Sequence, residues 1–128
     1  MPILVPVSWG ELLDKITILE IKSARIADAA KRANVDRELD ALRDVVTAAG
    51  ALPTGAHPLI DALRGVNEAL WDIEDNVRDC ERQKDFGTRF VELARGVYHQ
   101  NDRRAALKRE LNDLLGSDLV EEKSYQAY

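Results

Sequence analysis

Cysteine occurs once in this chain, at Cys80, so no internal disulfide can form, and its place on an apolar helical seam reads as a buried, reduced thiol. Aromatic residues make up only 5% of the sequence, too few to build a base-stacking surface. No apolar run approaches the ~18 residues that a membrane span needs. The apolar start Met1-Pro2-Ile3-Leu4-Val5-Pro6-Val7 lacks the basic region and small-residue cleavage site of a secretory signal. The expectation is a cytoplasmic protein with no membrane insertion. Basic residues are not in excess: 18 Lys and Arg stand against 23 Asp and Glu. A net charge of −5 argues against nucleic acid or an anionic membrane as the main partner. There is no Walker loop, no G-x-G-x-x-G and no zinc-ligand spacing, and His57 and His99 lie far apart without a Cys or His companion. Neither a metal nor a cofactor is therefore expected.

What is present points to helices. At 128 residues the chain fits one domain, and 32% charged residues with frequent Leu and Ala suit a helical bundle better than a sheet. The expected architecture is all-α: an antiparallel hairpin or a bundle of three to four helices, with an extended arm at 2–7 and a tail at 117–128. Pro2 and Pro6 keep the arm from starting a helix, so it should lie along the bundle or pair as a strand. Ser8-Trp9-Gly10-Glu11 has the S-x-x-E form of a capping box. Trp9, Leu12, Leu13, Ile16, Leu19, Ile26 and Ala30 then trace a buried stripe, widened by Ile18 and Ile21.

Residues 9–49 read as one long helix or as two, with Asn34-Val35-Asp36 as the weak interruption. Pro53, Gly55 and Pro58 make 51–58 the main loop. From 59 to 84, Leu59, Leu63, Val66, Leu70, Ile73, Val77 and Cys80 alternate by four and three over three heptads, a seam suited to antiparallel packing on the first helix. Asp85-Phe86-Gly87-Thr88 supplies a break, and a helix over 86–115 follows, closed by Gly116.

Two polar patterns stand out. Glu68, Asp72, Asp75 and Asp79 repeat by four and three but lie about 200° from the seam, which puts them in water. On the last helix the stripe through Phe90, Ala94 and Val97 continues as Asn101, Arg104 and Lys108 before returning to Leu111 and Leu115. Polar groups on a buried face must be paired, so these three should meet carboxylates or a bound anion. Glu11 and Asp14 on the first helix are the carboxylate candidates, Lys15 and Lys22 add donors, and Asn67 and Trp71 flank the seam. The set makes either an internal polar network that fixes register or an anion site between helices. The metal-binding pattern of helical nucleotide pyrophosphatases is met only in its second half, by Glu11-x-x-Asp14 and Glu110-x-x-Asp113. Leu119, Val120 and Tyr125 could dock the tail and bring Lys123, Ser124 and Tyr125 to that site.

Three ordered blocks carry a family resemblance: Val7-Ser8-Trp9-Gly10-Glu11-Leu12-Leu13-Asp14-Lys15 on to Lys22; Val66-Asn67-Glu68-Ala69-Leu70-Trp71-Asp72-Ile73-Glu74; and Asn101-Asp102-Arg103-Arg104 with Lys108 and Glu122-Lys123-Ser124-Tyr125. Together the chain resembles an uncharacterised bacterial family of small helical proteins, a domain of unknown function. Its relatives look like segments attached to tetratricopeptide or glycosyltransferase proteins, in surface-glycan and lipopolysaccharide gene contexts. The resemblance implies no reaction. It implies that Glu11, Asp14, Lys15, Lys22, Asn67, Trp71, Asn101, Arg104, Lys108, Lys123, Ser124 and Tyr125 form a shared pattern, the ligand-binding set expected here. The expected function is a binding or interaction module, self-associating or engaging a protein partner. The alternative is an enzyme or sensor for a phosphorylated metabolite or sugar nucleotide.

Overall fold

The computed structural model describes residues 1–128 and contains four helices and no strand: α1 (Trp9–Arg25), α2 (Ala29–Ala48), α3 (Ala56–Gln83) and α4 (Thr88–Leu115). The all-α bundle expected from composition and periodicity is what forms. Ser8 starts α1, its hydroxyl accepting from the Glu11 amide at 3.1 Å. The reciprocal half of the capping box is not made, because the Glu11 carboxylate turns to Lys108 instead.

The break within residues 9–49 falls at Ile26–Asp28, not at Asn34–Asp36. Asp28 caps α2 by accepting from the Lys31 amide at 2.9 Å. Asn34 and Asp36 do not compete for the backbone, since their side-chain oxygens take Arg37 and Ser23. The helix therefore runs through them. Likewise α3 begins at Ala56, ahead of Leu59, and Pro58 sits in its first turn, where a missing N–H costs nothing.

α1 is the central element and packs on each of the other three helices, whereas α2 touches α1 alone. The main antiparallel partner of α3 is α4 rather than α1. The seam explains this: Leu63 and Val66 face the shared core, and beyond the end of α1 the half-buried Ile73 and Val77 have only α4 to pack on. The core joins Leu12, Leu13, Ile16 and Leu19 of α1 to Leu39, Leu63, Val66, Leu107 and Leu111. Cys80 is fully buried and apart from that cluster.

The arm differs from expectation. Residues 1–7 neither lie along the bundle nor pair, and Ile3 and Leu4 are 87% and 94% exposed. The acidic stripe of α3 faces water, with Asp72 held by Arg25, and Asp79 by Arg82 and Arg89. No helix is long and apolar enough to cross a membrane.

Candidate functional site

Asp14 is the centre of a polar network inside the α1, α3 and α4 contact. It is buried because it lies on the same turn as Leu13 and Ile16, and its side chain is only 1% exposed. Arg104 of α4 grips it with a two-pronged contact, Nε to Oδ1 at 2.9 Å and Nη2 to Oδ2 at 2.5 Å. Asn67 of α3 donates through Nδ2 to Asp14 Oδ1 and to Thr17 Oγ1, both at 2.9 Å, and the Thr17 hydroxyl donates to the Asp14 carbonyl.

One turn along α4, the buried Lys108 amine donates to Glu11 and to Glu121, each at 2.8 Å, and lies 4.0 Å from Asp14. Two helices thus converge on two carboxylates of α1, and the tail joins them through Lys108. No buried side-chain nitrogen or oxygen is left without a partner. The network satisfies itself, as buried ionic groups must.

Donating to the Asp14 carboxylate raises the Arg104 guanidinium above its ordinary range against the opposing effect of burial. Burial alone would lower the Lys108 amine. Its hydrogen bonds to Glu11 and Glu121, with the field of Asp14, outweigh burial and hold the amine above its usual value. The Lys108 contact in turn depresses Glu121. Both cations therefore stay charged across the neutral range.

The start of α1 is closed against α4 by residues that were not in the expected set. The Gly10 amide donates to the buried Asn112 Oδ1 at 2.6 Å and the Trp9 amide to Ser117 Oγ at 3.2 Å. With Glu11 on the Ser8 hydroxyl and Leu12 on the Ser8 carbonyl, the first four amides of α1 all have partners.

The remaining members of the expected set fall outside the network. Lys15 and Lys22 line a depression beside Asp14 and Arg104, and Trp71 lines a second one with Asn67 and Arg104. Asn101 shares a third, near Tyr98, with Lys123 and Tyr125. Ser124 is exposed. The tail meets the bundle not through Leu119, Val120 and Tyr125, which are exposed, but through polar contacts: Glu121 on Lys108, Glu122 on Arg109, and Tyr128, whose hydroxyl reaches Asp102 and His99. No three His, Cys, Asp or Glu side chains converge as metal ligands do.

Tail docking has a definite pH dependence. The folded value of Glu121 is lowered, so its contribution is present above the unfolded glutamate range and is lost as pH falls through the lowered value. The side-chain and backbone chemical shifts of residues 118–128 should therefore report a docked tail near neutrality. They should move to free-chain values as pH falls below the ordinary glutamate range, while those of α1 stay in place. Tail shifts that are the same in neutral and acid solution would show that Glu121 does not hold it.

Comparison with protein-family models, with curated proteins and with solved structures finds no match to this chain.

Proposed function

We propose that the protein is a non-enzymatic, self-associating interaction module of the cytoplasm, serving surface-glycan metabolism, with a second copy of itself as the first partner. The observation that carries the reading is surface area. The chain exposes 8625 Å², against roughly 6,800 Å² for a compact monomer of its mass. The excess is larger than the ~800 Å² that each partner contributes to a standard interface.

Exposed apolar side chains stand out in two places. One is the arm, with Ile3, Leu4, Val5 and Val7 all exposed. The other is the far half of the α3–α4 hairpin, where Phe86 and Val91 are about half exposed and no residue of α4 before Leu107 is buried. Two bare helices cannot bury a seam on both sides, whereas two such hairpins pairing as a four-helix bundle can. The glycan pathway rests on the family resemblance alone. The closed ion-pair network around Asp14 supports a scaffold role over acid–base chemistry, because every charge in it is already engaged.

Light scattering at micromolar concentration should return twice the 14.3 kDa chain mass. The double variant Phe86→Asp, Val91→Asp should return the single mass with helical content intact, since both side chains are on the surface. A wild-type mass of one chain at that concentration would count against the reading.

A further inference from the structure

A cleft runs along α1, bordered by α3 and α4 at one end and by α4 and Glu38 of α2 at the other, and includes none of the exposed residues named for self-association. Its wider part, of about 490 Å³, has Ile18, Ile21, Leu70 and Trp71 as apolar walls. Its narrower part, of about 270 Å³, carries Lys15 and Lys22. Arg104 and Ile18 line both parts, so the two are neighbours across one guanidinium. Together they are of the size that small ligands occupy.

The charges of this cleft are sorted along its length. At the narrow end Glu11 and Asp14 are already bound to Lys108 and Arg104. The amines of Lys15 and Lys22 have no ion-pair partner within the chain, and the only uncommitted carboxylate facing them is Glu38. Arg104 adds a donor set in advance: Asp14 holds its Nε and Nη2 and leaves Nη1 free on a side chain 29% exposed. A cation locked in place by a buried carboxylate loses little freedom on meeting an anion. At the wide end the indole of Trp71 lies among aliphatic walls, with Arg25 over its ring at 5.8 Å, and the border is Asp75 and the Arg78–Glu74 pair. Arg25 and Arg78 are already paired there with Asp72 and Glu74, so a phosphate meets fewer uncommitted cations than at the narrow end, while a flat ring can pack on the indole.

We infer that this cleft binds a planar heteroaromatic ring joined to a phosphate or diphosphate, the ring against Trp71 and the phosphate among Lys15, Lys22 and the free edge of Arg104. The orientation follows from the sorting of charge. This inference stands on the cleft and not on self-association, so either can fail without the other.

The probe is adenosine diphosphate, with inorganic pyrophosphate as the ringless control. The chain has two tryptophans, so Trp9→Phe leaves Trp71 as the sole indole reporter. Adenosine diphosphate should quench its fluorescence, with saturation below the millimolar range. By calorimetry on the otherwise native chain, Lys15→Ala with Lys22→Ala should weaken binding at least tenfold at an unchanged melting temperature, because neither amine supports the fold. Trp71→Ala should weaken the nucleotide and leave pyrophosphate as it was. Three results overturn the inference: no binding of adenosine diphosphate at millimolar concentration, equal affinity of the double lysine variant, or pyrophosphate binding as tightly as the nucleotide. Light scattering on the same samples separates the two readings, since a single-chain mass with nucleotide bound removes only self-association.

Discussion

Replacing Arg104 by alanine is expected to destabilise the fold by about 3–5 kcal/mol, the cost of leaving one member of a buried ion pair alone. Asp14 cannot escape to water. Its side chain is 1% exposed and held on α1 by the core residues on either side of it. Without the guanidinium it would keep only Asn67 and a lysine amine 4.0 Å away that already serves Glu11 and Glu121. The converse change, Asp14→Ala, should cost less. Arg104 is 29% exposed and opens onto the cleft, so it can recover hydration when its partner is removed. Chemical denaturation of the two single variants and the double variant measures both the asymmetry and the coupling. If Asp14→Ala proves the costlier, the buried carboxylate is not what the network protects. Apolar replacement of the whole cluster could even be neutral in stability, so the network is better read as fixing which turn of α4 meets which turn of α1.

The polar centre of this network was legible in the sequence because a buried helical face cannot leave charges unpaired. Arg104 and Lys108 interrupt an apolar stripe, and Glu11 and Asp14 interrupt another three residues apart, so their meeting follows from periodicity and from the cost of an unpaired charge. Asn112 follows from the same rule: it lies one further step of four beyond Lys108, although the apolar stripe itself returns at Leu111 and Leu115. Thr17 and Ser117 had no such signal. Their roles depend on backbone groups, Asp14 carbonyl and Trp9 amide, whose availability only the assembled helix ends decide. The break at Ile26–Asp28 was hidden for a related reason, since Asp28 and Asp36 are equally good caps on paper, and Ser23 decides between them by taking Asp36. The seam points equally to α1 or α4 as the partner of α3, because a heptad seam specifies a face but not which neighbour covers it. The lengths of α1 and α4 decide that.

Gly10→Ala should be as damaging as many core truncations although it adds a single methyl group. A Cβ at this position would stand 2.5 Å from the Lys108 carbonyl oxygen and 3.0 Å from Asn112 Oδ1. The first of these is backbone and cannot rotate away. α1 and α4 must therefore separate, which lengthens the 2.6 Å hydrogen bond from the Gly10 amide to Asn112 and draws Glu11 away from Lys108. Overpacking and a weakened buried hydrogen bond together are expected to cost about 2–4 kcal/mol.

Two other helical glycines calibrate the claim. At Gly96 the added atom would meet the Ile73 Cδ1 at 3.1 Å, the end of a flexible side chain, so the change should be nearly neutral. At Gly65 nothing lies within 4 Å, and alanine should stabilise α3 by about 0.5–1 kcal/mol through its higher helix propensity. Thermal melts of the three variants should therefore order Gly65→Ala above wild type, Gly96→Ala beside it and Gly10→Ala well below. A Gly10→Ala chain that melts with the wild type would mean that α1 and α4 do not meet at this close approach. The register that brings Glu11 to Lys108 and Asp14 to Arg104 would then have to be different.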